Sequence, residues 1–301
     1  MKLSARVFIA LASAVLLVTF SRTATAASFT LGTVVGANVG CTPSVTCPNI
    51  DGDEDASFEI AGPNNGAGAI SVTSATDGFN DPNFVYSAAA DASFGRLHAR
   101  ATGTYNLPSP GYREAFALAL ATDQLTLSAP GMTGDALLQV SFNLDGTLQR
   151  SGTGGAVVTA FVTWGSSPDA FAEGNQGAAF DYTSLPSGPV TVLVPFVWNQ
   201  PFYLSMILGV AAGTPVSCLA CNDGDANETP ASGIGSGTAD LYNTMVLTGL
   251  LPTTPAGVPV LTAQFVSASG TQYSVEGVPE PASLVLLGTG LAAVLSRRRR
   301  N

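Results

Sequence analysis

The residues able to do chemistry fall into a few small groups. Arg96-Leu-His98-Ala-Arg100 contains the chain's single histidine and two of its arginines. In a strand, this alternation puts Arg96, His98 and Arg100 on one sheet face, with Leu97 and Ala99 on the other. Two guanidinium groups beside an imidazole suit an anionic ligand such as a sugar acid. The competing reading, cross-strand pairing with carboxylates, is the favoured one. Ser–His or Cys–His catalysis would have to use His98, and Gly165-Ser-Ser lacks the G-x-S-x-G frame of a nucleophile elbow. A glycosidase needs two carboxylates at a fixed separation, and 21 scattered acidic residues single out no pair. No catalytic residue is assigned, and no enzyme activity is expected.

The four cysteines come as two close pairs, Cys41 with Cys47 and Cys218 with Cys221. In an exported chain an even count reads first as two disulfides. Local pairing is the first expectation and pairing between the two regions the second. A four-cysteine zinc site and a redox-active Cys218-Leu-Ala-Cys221 are weaker alternatives, because an oxidising compartment competes for the thiols and no βαβ unit surrounds the motif. Each pair is followed by an acidic loop, Asp51-Gly-Asp53-Glu54-Asp55 and Asn222-Asp223-Gly-Asp225-Ala-Asn227-Glu228. Alternating oxygen ligands around a glycine suit calcium, the one cofactor these loops could hold. The first is no EF-hand, since it lacks the glycine at the sixth position and has Gly62 where the bidentate glutamate belongs, and a solvated acidic loop is the favoured reading. Trp164 shares a face with Val158, Ala160 and Val162, and Trp198 with Val192, Val194 and Phe196. Aromatic rings can stack on sugars, but both patterns favour core packing.

The elements that must carry these residues are strands. Alternating or β-branched runs recur at Phe29–Val35, Phe84–Ala92, Gly95–Tyr105, Ala115–Leu127 and Ala136–Leu144. More follow at Ala156–Trp164, Val190–Trp198, Phe202–Val210, Ala239–Leu247 and Val260–Val266. Turn material lies between them, including Leu144–Thr147, Ser151–Gly155 and Ser232–Gly237. This pattern predicts an all-β antiparallel sandwich of jelly-roll type, formed as one domain by residues 27–277. Composition limits the partners. The middle of the chain holds Arg96, Arg100, Arg113 and Arg150 against all 21 acidic residues, a balance of −17 with no lysine. That excludes a nucleic-acid-binding body, which needs a basic footprint, and disfavours an acidic membrane surface.

Both ends read as addresses. Lys2 and Arg6, the apolar run Val7–Phe20 and the small residues Ala24-Thr25-Ala26 form a signal peptide over 1–26, with the cut expected between Ala26 and Ala27. Fourteen apolar residues are short for a bilayer that needs about 20. At the other end come Val278-Pro279-Glu280-Pro281, an apolar stretch Ala282–Leu295, and Arg297, Arg298, Arg299 and Arg300. As a helix the stretch would span roughly 21 Å against a hydrocarbon core of about 30 Å. The arginines would stay cytoplasmic while the acidic body crosses.

In these residues, 278–301, the chain resembles the PEP-CTERM family of exported bacterial proteins. The resemblance implies a sorting signal recognised and removed by exosortase, a membrane cysteine peptidase. It also implies a place at the cell surface or in the extracellular matrix, among exopolysaccharide and biofilm, after transient anchoring in the inner membrane. The expected partners are thus signal peptidase, an exosortase-type enzyme and exopolysaccharide, with membrane contact through the terminal segments alone. The expected role is that of a non-enzymatic surface or matrix protein. A carbohydrate-binding module is the alternative, followed by a polysaccharide-active enzyme.

Overall fold

The computed structural model describes residues 29–41, 54–61, 71–76, 83–170, 174–186, 188–215, 231–273 and 275. Among them there is no helix. The strands are β1 (Phe29–Cys41), β2 (Glu54–Ala61), β3 (Ser71–Thr76), β4 (Phe84–Ser93), β5 (Arg96–Ser128) and β6 (Asp135–Gly152). They continue with β7 (Gly155–Gly165), β8 (Gln176–Tyr182), β9 (Val190–Val197), β10 (Pro201–Gly213), β11 (Ala231–Thr253) and β12 (Gln264–Ser267). Every strand pair is antiparallel.

The architecture turns on β5, which is 33 residues long and changes partners along its length. Residues 96–111 lie between β4 and β11. Residues 111–128 lie between β1 and β10, and β12 extends the β1 edge. One layer therefore runs β3-β4-β5-β11-β6-β9 and the other β2-β1-β5-β10-β7-β8. Pro108 and Pro110 stand exposed at the hand-over, beyond the residues that β4 pairs and within the register shift of β11. There their missing N–H groups break no ladder. The inner faces of both layers share one core, with Leu97, Val140 and Val194 from the first layer meeting Ala117, Val158 and Leu208 from the second. This is an antiparallel β-sandwich folded from a continuous sheet, in agreement with the all-β reading.

Glycine explains where the expected boundaries and the observed ones part. Leu144–Thr147 and Ser232–Gly237, read as turns, lie inside β6 and β11. Gly95–Tyr105 and Ala115–Leu127, read as two strands, are one. Gly235 and Gly237 serve close packing. A Cβ on Gly237 would fall on the carbonyl oxygen of Gly155 and 2.8 Å from the nitrogen of Gly213, both in the opposite layer. A Cβ on Gly103 would lie 2.7 Å from the oxygen of Ala212. The two layers touch backbone to backbone beside the bend, and glycine alone fits such an approach. Ser151–Gly155 does turn the chain, from β6 into β7. β2, β3 and β8 had no clear alternation to announce them.

Candidate functional site

Arg96, His98 and Arg100 lie on the first layer, in the part of β5 between β4 and β11. The two arginines are exposed, whereas His98 is 9% exposed and sits opposite Asp91 of β4. Arg100 is opposite Asp240 of β11, with its Nε 3.7 Å from Asp240 Oδ2. Around them the outward positions are short and polar. The Ser87 and Thr102 hydroxyls are 2.8 Å apart, and Thr102 continues the row to Thr238 and Gln149. Carboxylates thus stand opposite both His98 and Arg100, the arrangement that cross-strand pairing requires. With Asp91 and Asp240 nearby, the face has little net positive charge to offer an anion.

The tryptophans face inward. Trp198 is 2% exposed and packs edge-on against Phe196, ring centroids 4.9 Å apart, and its indole Nε1 makes no hydrogen bond. Trp164 lies partly buried against the same core and donates from Nε1 to Gln176 Oε1 at 3.2 Å. Of the aromatic side chains whose exposure is described, none is exposed. Neither tryptophan thus offers an open ring face for stacking on a sugar.

Several sequence-derived sites lie outside the described residues: Cys47, Cys218 and Cys221, Asp51, Asp53, Asp223 and Asp225, the cut between Ala26 and Ala27, and the motif Pro279-Glu280-Pro281 with Arg297 to Arg300. Cys41 ends β1, and Asp55 is opposite Val39 in β2. Among the described residues no group of three or more His, Cys, Asp or Glu is placed to hold a metal.

The most developed polar cluster is one that sequence reasoning passed over. Asp123 is 3% exposed on the inward row of β5, between Ala121 and Leu125. Its Oδ2 accepts from Ser267 Oγ at 2.6 Å, Ser269 Oγ at 2.7 Å and Tyr273 Oη at 3.0 Å, and its Oδ1 accepts from the Ser269 N–H at 3.1 Å. The Ala268 N–H donates to Gln124 O at 3.0 Å alongside. Burial, and then the charge of Asp123, push the Tyr273 phenol well above its usual range, so it remains a donor. The signal was visible in the sequence: a lone carboxylate interrupting Ala117, Ala119, Ala121, Leu125 and Leu127 must find donors or pay heavily for desolvation.

Comparison with known proteins adds one firm result. Residues 277–300 match the family model of the PEP-CTERM protein-sorting motif. That motif marks an exported protein carrying a membrane-associated C-terminal sorting signal, processed by exosortase-type machinery. No curated protein matches the chain. Among solved structures, one described in work on carbohydrate-binding modules of the β-sandwich superfamily aligns at 10% identity over 70% of this chain and 74% of its own. The TM-score of that alignment is 0.18.

Proposed function

We propose that the protein is an exported, non-enzymatic component of the cell surface or extracellular matrix, whose sandwich body is delivered through its C-terminal signal into exopolysaccharide. The observation that carries this reading is the sorting motif at 277–300, which begins two residues after Val275, the last of the described residues and one bridged to Leu250 of the body. The continuous antiparallel ladders and the backbone-tight core suit a durable structural module. In this role the strongly acidic body stays soluble and spaced from like-charged neighbours.

The alternative, a carbohydrate-binding module, rests on exposed Arg96 and Arg100 alone, since Trp164 and Trp198 are committed to the core. Purified body, residues 27–277, should be incubated with native matrix and with defined acidic and neutral polysaccharides. Retention in native matrix that survives Arg96→Ala and Arg100→Ala supports the structural role. Tight binding to a defined polysaccharide, abolished by those substitutions, would replace it with the binding module. Release of reducing sugar would refute the non-enzymatic reading.

A further inference from the structure

Residues 264–273, with Val275, form a strap across one end of the sandwich. β12 pairs Gln264–Ser267 with Leu125–Ser128 of β5, and Phe265 and Tyr273 then pack with ring centroids 6.4 Å apart. Ser267, Ser269 and Tyr273 converge on the buried Asp123 carboxylate, and Val275 makes a parallel bridge to Leu250. The start of β1 is here too, because Phe29 is the register partner of Asp123. Beyond Val275 the sorting motif follows almost at once.

The reach of the chain turns this into a constraint. From Val275 to Pro279 an extended chain spans at most about 14 Å, at roughly 3.3–3.6 Å per residue. With the strap released back to Ala263, the same limit becomes about 55 Å. A peptidase must hold several extended residues on each side of the bond it cuts. While the strap is closed, Val275 is held by its bridge to Leu250, and only residues 276–278 separate it from Pro279, too short a tether for such a cleft to take up several extended residues ahead of the Pro-Glu-Pro region. Cleavage that depends on transient local opening follows the population of the open form when reclosing is fast.

We infer that Asp123 is the clasp of a gate on processing: the sorting signal is cut from the strap-open form, and the hydrogen bonds of Ser267, Ser269 and Tyr273 to Asp123 set how often that form occurs. The inference rests on the reading that the 277–300 segment is processed. Asp123, Ser269 and Tyr273 are positioning residues, acting through the strap on the accessibility of a distant bond. A charged acceptor makes each of these hydrogen bonds stronger than a neutral one, so neutralising Asp123 opens the strap substantially.

The test follows conversion of full-length precursor to processed protein by pulse-chase in a host that has the processing machinery. Asp123→Asn should convert about tenfold faster than the parent, the change expected from losing roughly one charged hydrogen bond's worth of closure. Tyr273→Phe, which leaves the carboxylate in place, should convert faster by a smaller factor. A Gly-Ser insertion of about eight residues between Glu276 and Gly277 supplies free tether without touching the clasp. It should also speed conversion, and adding Asp123→Asn to it should bring little further gain. Hydrogen exchange at 268–273 in uncleaved protein should rise in both point variants while the β5 amides at 115–121 stay protected. If the parent is processed but the insertion and Tyr273→Phe convert at the parent rate, the gate is refuted and the reading of the tail survives. If the parent is never processed, both fall together.

Discussion

Replacing Gly237 with alanine tests the meeting of the two layers directly. The new Cβ would fall on the Gly155 carbonyl oxygen, with the Gly213 nitrogen 2.8 Å and the Gly155 carbonyl carbon 2.9 Å away. All three obstacles are backbone atoms held in ladders of β7 and β10, so no side-chain rotamer can relieve the clash. Relief requires the β11 layer to lift away from its partner, and that opens the core around Ala212 and Ala239. Overpacking of this kind usually destabilises by about 1–3 kcal/mol, and the lack of a yielding neighbour puts Gly237→Ala at the upper end. For a domain of roughly 150–250 residues each kcal/mol moves Tm by about 2–4 °C, so a fall of about 6–12 °C is expected. Gly188→Ala is the control, because a Cβ there meets nothing within 4 Å. Thermal unfolding of parent and both variants of the 27–277 body, followed by far-UV circular dichroism, supplies the comparison. Equal Tm values for parent and Gly237→Ala would show that the layers do not meet in backbone contact, and the account of the bend would be wrong.

Three further outcomes are expected. Trp198→Ala should destabilise the body by about 3–5 kcal/mol in chemical denaturation, whereas Trp198→Phe should lose much less, because the indole N–H has no partner to forfeit. Stability should decline above about pH 10: a phenol whose folded pKa is raised favours folding below the unfolded value, and that contribution is lost progressively as pH rises past it. The decline should be shallower in Tyr273→Phe, read from unfolding curves across pH 8 to 11, roughly the window set by the unperturbed phenol. Thiol labelling of exported protein, denatured without reductant, should find no free cysteine, and efficient labelling of Cys218 or Cys221 would revive the metal or redox reading.

Strand positions were legible wherever inward and outward residues differ in polarity. β4 shows this in its alternation of buried and half-exposed side chains, and β9, with Val192, Val194 and Phe196 facing in, shows it again. Trp198 followed from the same arithmetic. Where both faces are small or apolar, the pattern fails. Most of β7 and β10 is buried on both faces, with Phe116, Val157 and Ile207 forming a second cluster on the outer side of their layer. Those runs stood out by their apolar and β-branched content more than by any contrast between their faces. The continuity of β5 through Pro108 and Pro110 was hidden because proline there has lost no partner. Ser232–Gly237 misled for a related reason: glycine marks close approach as readily as it marks a turn, and only the neighbouring layer distinguishes the two. The cluster around Asp123 was hidden differently. Its row predicts a buried carboxylate, but its partners lie about 145 residues further along the chain, a separation no local pattern encodes.

The central claim is export of the sandwich body followed by processing of its C-terminal signal, and intact-mass measurement of the protein recovered outside the native host tests it most directly. The expected product is a chain that starts at or near Ala27 and ends within or just before Pro279-Glu280-Pro281, lacking the apolar stretch and Arg297 to Arg300. Recovery from the exterior of the full 301-residue mass, with both terminal segments present, would contradict it.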